Sequence, residues 1–171
     1  MLQLSAALAD RPIMSLRTGQ QVATITSPII NPNNLKIEGF YCVDRFEKQT
    51  LVLLYQDIRD IIAQGFVIDD HDVLTEPQEL IRLKDVMDIN FTLIGKPVVT
   101  TARQNIGKVS DFATELETMY VQKIYVSRSI MKSFASGNLG IDRNQINEIT
   151  DKKIIINELL KTAPVGAGAV A

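Results

Sequence analysis

The chain's only histidine lies in an acidic segment, VIDDHDVL, at residues 67–74. His71 stands between Asp70 and Asp72, and Asp69 precedes them. Imidazole and carboxylate side chains bind divalent metal ions and transfer protons in general acid–base catalysis. This segment is therefore the first candidate for chemistry, either as a metal site or as an acid–base pair.

A calcium-binding loop does not fit this segment. Such a loop needs a glycine at its sharp turn and a glutamate at its twelfth position. Counted from Asp69 or Asp70, the twelfth residue is Leu80 or Ile81, and no glycine lies between. A weak site for another cation stays open as an alternative.

Covalent catalysis would need a nucleophile beside His71, either a serine or Cys42. Cys42 lies in FYCV, an alternating stretch typical of a strand, where a small buried hydrophobe is expected. The sequence contains no G-x-S-x-G, P-loop or G-x-G-x-x-G motif. A single cysteine excludes an intramolecular disulfide and a cysteine-rich zinc site, and it favours a reducing compartment.

The overall charge does not indicate a nucleic-acid or anionic-membrane partner, since the net charge of the 171 residues is −2. The charge is uneven, with a net −5 over residues 1–88 and +3 over residues 89–171. Tyr120 and Tyr125 are the nearby aromatic residues that could stack on bases. The basic residues considered for a nucleic-acid surface are Lys123, Arg128, Lys132, Arg143, Lys152 and Lys153.

The chain contains two copies of one pattern. Apolar positions coincide when residues 51–83 are laid over residues 124–156, a constant offset of 73. The GQQVAT and IEGFYCVD stretches also match GKPVVT and NIGKVSD, at offsets of 76 and 68, which places insertions in SPIINPNN (27–34) and near DFATELETM (111–119). The matched pairs are Leu51/Ile124, Leu53/Val126, Ile58/Met131, Ile61/Phe134, Phe66/Leu139, Ile68/Ile141, Val73/Ile146, Ile81/Ile154 and Leu83/Ile156.

The same comparison changes the interpretation of the acidic segment. It lays DDHD (69–72) over DRNQ (142–145), so that only Asp69 keeps its identity, as Asp142. A metal site needed by the module would keep its ligands in both copies. We therefore expect a tight turn capped by Asp69, with His71 as a surface residue, and assign no catalytic, cofactor-binding or metal-binding residue.

Each copy is predicted to be mainly β, with short helical turns at Gln56–Ala63 and Ile130–Phe134. Glycines before strands suit turns or bulges. Five or six short strands in one small unit favour a closed or nearly closed barrel, which leaves no open edge. The predicted strands are Val22–Thr26, Phe40–Val43, Leu51–Leu54, Val67–Ile68, Ile81–Leu83, Pro97–Thr101, Lys108–Ser110, Val121–Val126, Gly140–Ile141, Ile146–Ile149 and Lys153–Ile156.

The predicted domains are residues 13–86 and 89–157, with a helical turn at 84–91 between the barrels. Residues 158–171 are expected to form a disordered tail. The N-terminal MLQLSAALADR has no basic residues before its apolar run, so we expect a loosely packed terminus and no signal peptide. No stretch approaches the roughly 20 apolar residues that span a bilayer.

The repeated pattern resembles tandem PRC-barrel domains. The resemblance is clearest in GKPVVTTARQNIGKVSDF (95–112) and LGIDRNQINEITDKKIII (139–156), and it covers roughly residues 13–157. This family includes the cytoplasmic domain of the photosynthetic reaction-centre H subunit and the C-terminal domain of the ribosome-maturation factor. The resemblance implies small β-barrels that contact other proteins and carry no catalytic residues.

We therefore expect a non-enzymatic, cytoplasmic adaptor with two small PRC-type barrels in tandem and no cofactor. Its partner would be an unidentified protein, bound in the groove between the barrels or at exposed loops such as 27–34. The alternative is a ribosome-associated or RNA-associated assembly or maturation factor.

Overall fold

The computed structural model describes residues 1–128 and 138–159. Within these ranges the chain has one short α-helix, α1 (Lys84–Ile89), and five 3₁₀ turns, Ser5–Ala7, Tyr55–Asp57, His71–Val73, Pro77–Glu79 and Arg143–Gln145. The strands in chain order are β1 (Leu2–Leu4), β2 (Pro12–Ser15), β3 (Gln21–Asn31), β4 (Lys36–Asp44), β5 (Thr50–Leu54), β6 (Asp60–Ile62), β7 (Gly65–Ile68), β8 (Pro97–Thr100), β9 (Asn105–Glu115), β10 (Val121–Ser127), β11 (Leu139–Asp142), β12 (Ile146–Ile149) and β13 (Ile154–Ile156).

The strands form two sheets that have the same order. The first sheet runs β5-β4-β3-β2-β7-β6, and the second runs β11-β10-β9-β8-β13-β12. In each sheet one pair is parallel, β2 with β7 and β8 with β13, and the other pairs are antiparallel. The chain is therefore mainly β and repeats one strand arrangement, as the sequence predicted.

The predicted register of the repeat is wrong. In the β3–β4 hairpin, Ile25 pairs with Cys42. The equivalent pair in the β9–β10 hairpin is Val109 with Val126, and each residue stands 84 positions later in the chain. The corresponding offset is 85 for β2 and β8 and 88 for β5 and β11. The predicted offset of 73 matches β5 with β10. In the structure, β10 is equivalent to β4, the neighbour of β5, and the true equivalent of β5 is β11. Both strands alternate apolar residues, so apolar spacing alone did not distinguish them.

The closed barrel predicted for each copy is not formed. The edge strands of the first sheet, β5 and β6, do not pair with each other, nor do β11 and β12 in the second. Instead, Thr75 exchanges two backbone hydrogen bonds with Val52 of β5, with N···O distances of 2.8 and 3.0 Å. A short length of chain thus covers part of this edge, which satisfies backbone groups there without closure of the ring.

Two local predictions fail and one is confirmed. Residues 81–83 form a turn instead of a strand, and Ile81 is 84% exposed. Residues 56–63 form the end of a 3₁₀ turn followed by β6, because Ile61 pairs with Phe66 in a hairpin. The helical turn predicted at 84–91 is α1. The helical turn predicted at 130–134 lies outside the described residues, as does most of the predicted tail.

The N-terminus is ordered, contrary to the prediction. β1 pairs with β9, and the backbone N–H of Ser5 donates to the Asp111 carboxylate at 3.2 Å. Leu8 is buried. The start of the chain is therefore packed against the second sheet. No helix in the described residues is long and apolar enough to cross a membrane.

A single apolar core runs through both halves of the described chain. It is mainly aliphatic, as expected for a sequence without tryptophan. Its largest fully buried side chains are those of Phe40 and Phe66, whose rings meet edge to face with centroids 5.1 Å apart.

The turns of the two central hairpins, β3–β4 and β9–β10, meet at the junction of the halves. The N–H of Ile37 donates to the carbonyl of Met119 at 2.8 Å, and the N–H of Val121 donates to the carbonyl of Leu35 at 2.9 Å. Leu35 and Met119 are equivalent residues at the 84-residue offset, and so are Ile37 and Val121. The two donors are therefore equivalent to each other, and so are the two acceptors, so a local twofold axis relates the two hydrogen bonds.

The segment SPIINPNN (27–34), predicted to be an exposed loop, belongs mostly to this hairpin. Its first five residues complete β3, and both Ile29 and Ile30 are buried. The segment therefore supports the contact between the halves and does not form a free binding loop.

Candidate functional site

The acidic segment follows β7, and its charged side chains have separate partners. Arg59 donates two hydrogen bonds to Asp69, at 2.6 and 2.8 Å. The Arg59 guanidinium holds the pKa of the Asp69 carboxyl below its usual value. Asp70 accepts from Arg17 at 2.8 Å and from the Ser15 hydroxyl at 3.0 Å. These carboxylates are committed to different arginines.

Asp69 does not cap the turn as predicted, because its carboxylate is in this ion pair. The turn-capping role belongs to Asp142, which forms a capping box with Gln145, whose side-chain oxygen accepts the Asp142 N–H at 2.8 Å. In the structure, Ser15 pairs with Ile68, and the equivalent pair in the second sheet is Thr100 with Ile156. The residue after Ile68, Asp69, therefore corresponds to the residue after Ile156, which is Asn157. The predicted equivalence of Asp69 and Asp142 is therefore wrong, because it depends on the offset of 73 residues.

His71 has a partner that the sequence did not indicate. Its Nε2 lies 2.5 Å from a carboxylate oxygen of Asp44, which is 1% exposed at the end of β4. The Asp44 carboxylate also accepts the backbone N–H of Glu47 at 2.7 Å. The ring of Phe46 meets the imidazole edge to face, with centroids 5.7 Å apart. His71 is thus a partly exposed residue, with 39% of its side chain accessible, and it is anchored by a buried carboxylate that the sequence did not indicate.

Burial alone would raise the pKa of Asp44. The hydrogen bonds from the Glu47 backbone and from His71 outweigh burial, so the pKa of this carboxyl lies below its usual value. The aspartate remains ionised in the folded protein at a pH where the unfolded chain binds a proton.

We expect this difference to make folding stability depend on pH. A carboxyl with a lowered pKa in the folded state stabilises the fold above its unfolded pKa, and this contribution is lost as the pH falls through the folded pKa. The free energy of unfolding should therefore fall as the pH drops below about 4. Urea denaturation of the wild type and of Asp44→Asn, measured from pH 7 to pH 3, tests this.

The wild type should be the more stable protein at pH 7, and the difference between the two proteins should shrink towards pH 3. Asp69, Asp70 and Glu115 also have lowered pKa values, so the variant should keep part of the acid-induced loss. A difference that stays constant across the range would contradict the role given to Asp44.

The part of the chain that the structure describes holds no group of three or more His, Cys, Asp or Glu side chains that could bind a metal ion. Cys42 is fully buried in β4, and its thiol lies 3.5 Å from the Leu51 carbonyl oxygen. Burial, aided by the negative charge of Asp44, raises the pKa of the Cys42 thiol to about 12. The prediction that Cys42 acts as a small buried hydrophobe is confirmed.

An open cleft of about 650 Å³ lies where the two halves meet. Both halves and the N-terminus contribute to it. We call it the inter-sheet cleft and define it by its lining residues, Met1, Tyr55, Gln56, Ile58, Arg59, Asp60, Ile61, Leu116, Glu117 and Met119. Its apolar members include partly buried residues that pack on the core, so its floor is built into the fold.

Tyr55, which lines the cleft, also bridges the two halves of the chain. The Tyr55 hydroxyl donates to the Glu117 carbonyl at 3.3 Å. The Lys36 ammonium lies 4.7 Å from the centroid of the Tyr55 ring and 5.7 Å from that of Tyr120. The Arg143 guanidinium lies 4.9 Å from the Tyr120 ring. Rings and cations therefore alternate in one stack, Tyr55–Lys36–Tyr120–Arg143, which we call the cation–π ladder.

Two residues of the predicted nucleic-acid surface, Tyr120 and Arg143, are engaged within the protein as members of the ladder. Tyr120 faces Lys36 and Arg143, and Arg143 donates to the Val121 carbonyl at 2.9 Å and to the Asn34 carbonyl. Lys123 lies 3.5 Å from Asp142. Lys132 lies outside the described residues. The exposed members of the predicted set are Arg128, Lys152 and Lys153.

No protein-family model matches this chain, and no curated protein matches it at a significant level.

Proposed function

We propose that this protein is a non-enzymatic interaction module that binds a partner protein in the inter-sheet cleft. The observation that carries this proposal is the cleft itself, which is open, has an apolar floor and takes lining residues from both halves. Exposed apolar surface rimmed by polar residues is typical of sites that bind other proteins.

The proposal includes a kinship with tandem PRC-barrel proteins and a cytoplasmic location. The kinship is supported by the strand order that both halves share. The location is supported by the single, buried cysteine, which needs no oxidising environment. An absence of catalysis is supported by the pairing of Asp69 and Asp70 with arginines and by the burial of Cys42, whose raised thiol pKa disfavours the reactive thiolate.

Site-specific photo-crosslinking in cells tests the proposed binding site. A photoreactive phenylalanine analogue replaces Gln56, an exposed residue of the cleft, and in a control protein it replaces Gln104, an exposed glutamine in the turn between β8 and β9. We expect a discrete protein to crosslink at position 56 and not at position 104. Equal crosslinking at both positions, or none at position 56, would overturn the proposal.

A ribosome-associated or RNA-associated function is the second candidate. Thr150 accepts the backbone N–H groups of Lys152 and Lys153, at 3.2 and 3.0 Å, so its turn presents two adjacent exposed lysines. Lys152→Glu with Lys153→Glu should then weaken binding to ribosomal RNA and reduce its dependence on salt. Crosslinking of ribosomal components alone would favour this candidate.

A further inference from the structure

Among the residues that line the inter-sheet cleft, the charged side chains without an ion pair to a described residue are negative. Asp60 and Glu117 reach the cleft from opposite halves of the chain, and neither forms an ion pair with any described residue. Arg59, the lining residue with a cationic side chain, is already held by Asp69. The Met1 amino group is engaged by Glu115. Asp60 accepts the backbone N–H of Ile61 at 2.8 Å. Both carboxylates nevertheless lack a cationic partner among the described residues and remain able to pair with a basic ligand.

The floor between these carboxylates is apolar. Ile58, Ile61 and Leu116 pack against the core while they line the cleft, and Met119 is buried at the hairpin turn. A small hydrophilic cation would leave this floor in water. A segment with aliphatic and basic side chains would cover the floor and also pair with both carboxylates.

The position of β6 adds a constraint on shape. β6 contributes Asp60 and Ile61 to the cleft, and it is the edge strand of the first sheet. Arg11 donates to the carbonyls of Ile62 and Ala63, at 2.7 and 2.9 Å, and so occupies the far end of this strand. An extended segment that paired with the free edge of β6 would lie next to Asp60 and Ile61, as partner strands do at sheet edges.

We propose that the inter-sheet cleft binds an extended segment of the partner protein in which lysine or arginine alternates with aliphatic residues, with a basic side chain between Asp60 and Glu117. This inference rests on the proposed function and adds the chemistry of the partner.

Fluorescence anisotropy with the full chain tests the charge preference. One labelled peptide alternates lysine with valine, and a second has glutamate in place of each lysine. We expect the lysine peptide to bind at least about tenfold more tightly than the glutamate peptide, and its affinity to fall with added salt.

The double variant Asp60→Asn with Glu117→Gln keeps the size of both side chains and removes both charges. It should lose about tenfold in affinity for the lysine peptide, as expected for two exposed ion pairs. The matched control is Asp72→Asn with Glu79→Gln, a pair of exposed acidic residues outside the cleft, and it should bind as the wild type does.

Equal binding of the two peptides, or equal losses in the two double variants, would overturn the inference. These results would not affect the proposed function if a discrete protein still crosslinks at position 56. Absence of that crosslink removes the proposed function, whatever the peptides do.

Discussion

Replacement of Gly107 by alanine is expected to lower the free energy of unfolding by about 3 kcal/mol or more, or to prevent folding. Gly107 lies in β9 beside a register shift in its pairing with β8. Its φ is +149°, where a side chain is strained. A Cβ at this position would overlap the carbonyl oxygen of Ser127 and lie 3.0 Å from its carbonyl carbon, and backbone atoms have little room to yield.

The matched control is Gly140→Ala. Gly140 lies in β11, and an added Cβ would meet the Lys123 and Tyr125 side chains at an ordinary 3.7 Å. We expect this variant to stay within about 0.5 kcal/mol of the wild type. Urea denaturation followed by circular dichroism measures both. Similar stabilities for the two variants would show that the close approach of β9 to Ser127 is not as described.

Phe66→Ala is expected to cost about 3–5 kcal/mol. Phe66 is fully buried in β7, where it packs edge to face against Phe40. Its removal leaves a cavity that a close-packed core fills poorly. Since one apolar core runs through both halves, we expect a single unfolding transition that moves to lower denaturant concentration.

Phe46→Ala is the control for this variant. Phe46 is 64% exposed and contacts the His71 ring, so its loss should cost less than about 1 kcal/mol. If loss of Phe66 melted the first sheet and left the second folded, two transitions would appear, and the single core would be contradicted.

The sequence predicted most strands but not the register of the repeat. Buried and less buried residues alternate through most of β4 and β10, because one face of each strand packs on the core. The sequence does not indicate β2, because its four residues, PIMS, are too few to show alternation and lie among polar residues. The wrong offset arose because Leu53 and Val126 are both buried strand residues, and only hydrogen-bonded pairing shows that they occupy different places in the two sheets.

The candidate sites were less predictable, since they depend on distant parts of the chain. The residue types of DDHD (69–72) indicate chemistry, yet the partners of their side chains lie elsewhere in the chain. His71 meets Asp44, which is 27 residues away. The inter-sheet cleft combines β6 with the β9–β10 turn, and no local pattern brings Asp60 towards Glu117. A groove between the two copies was expected, but its lining needed the structure.

The cation–π ladder shows that the two copies are no longer interchangeable. Lys36 and Tyr120 are equivalent by register, as are Tyr55 and Arg143, so each cation in one copy stands where the other has an aromatic ring. At the junction, a homodimer of the first copy would place one Lys36 against another, and a homodimer of the second would place one Tyr120 against another, so neither would form the cation–ring contact made there. The contact between Lys36 and the Tyr120 ring therefore needs one half of each kind, which favours pairing of the two halves within one chain.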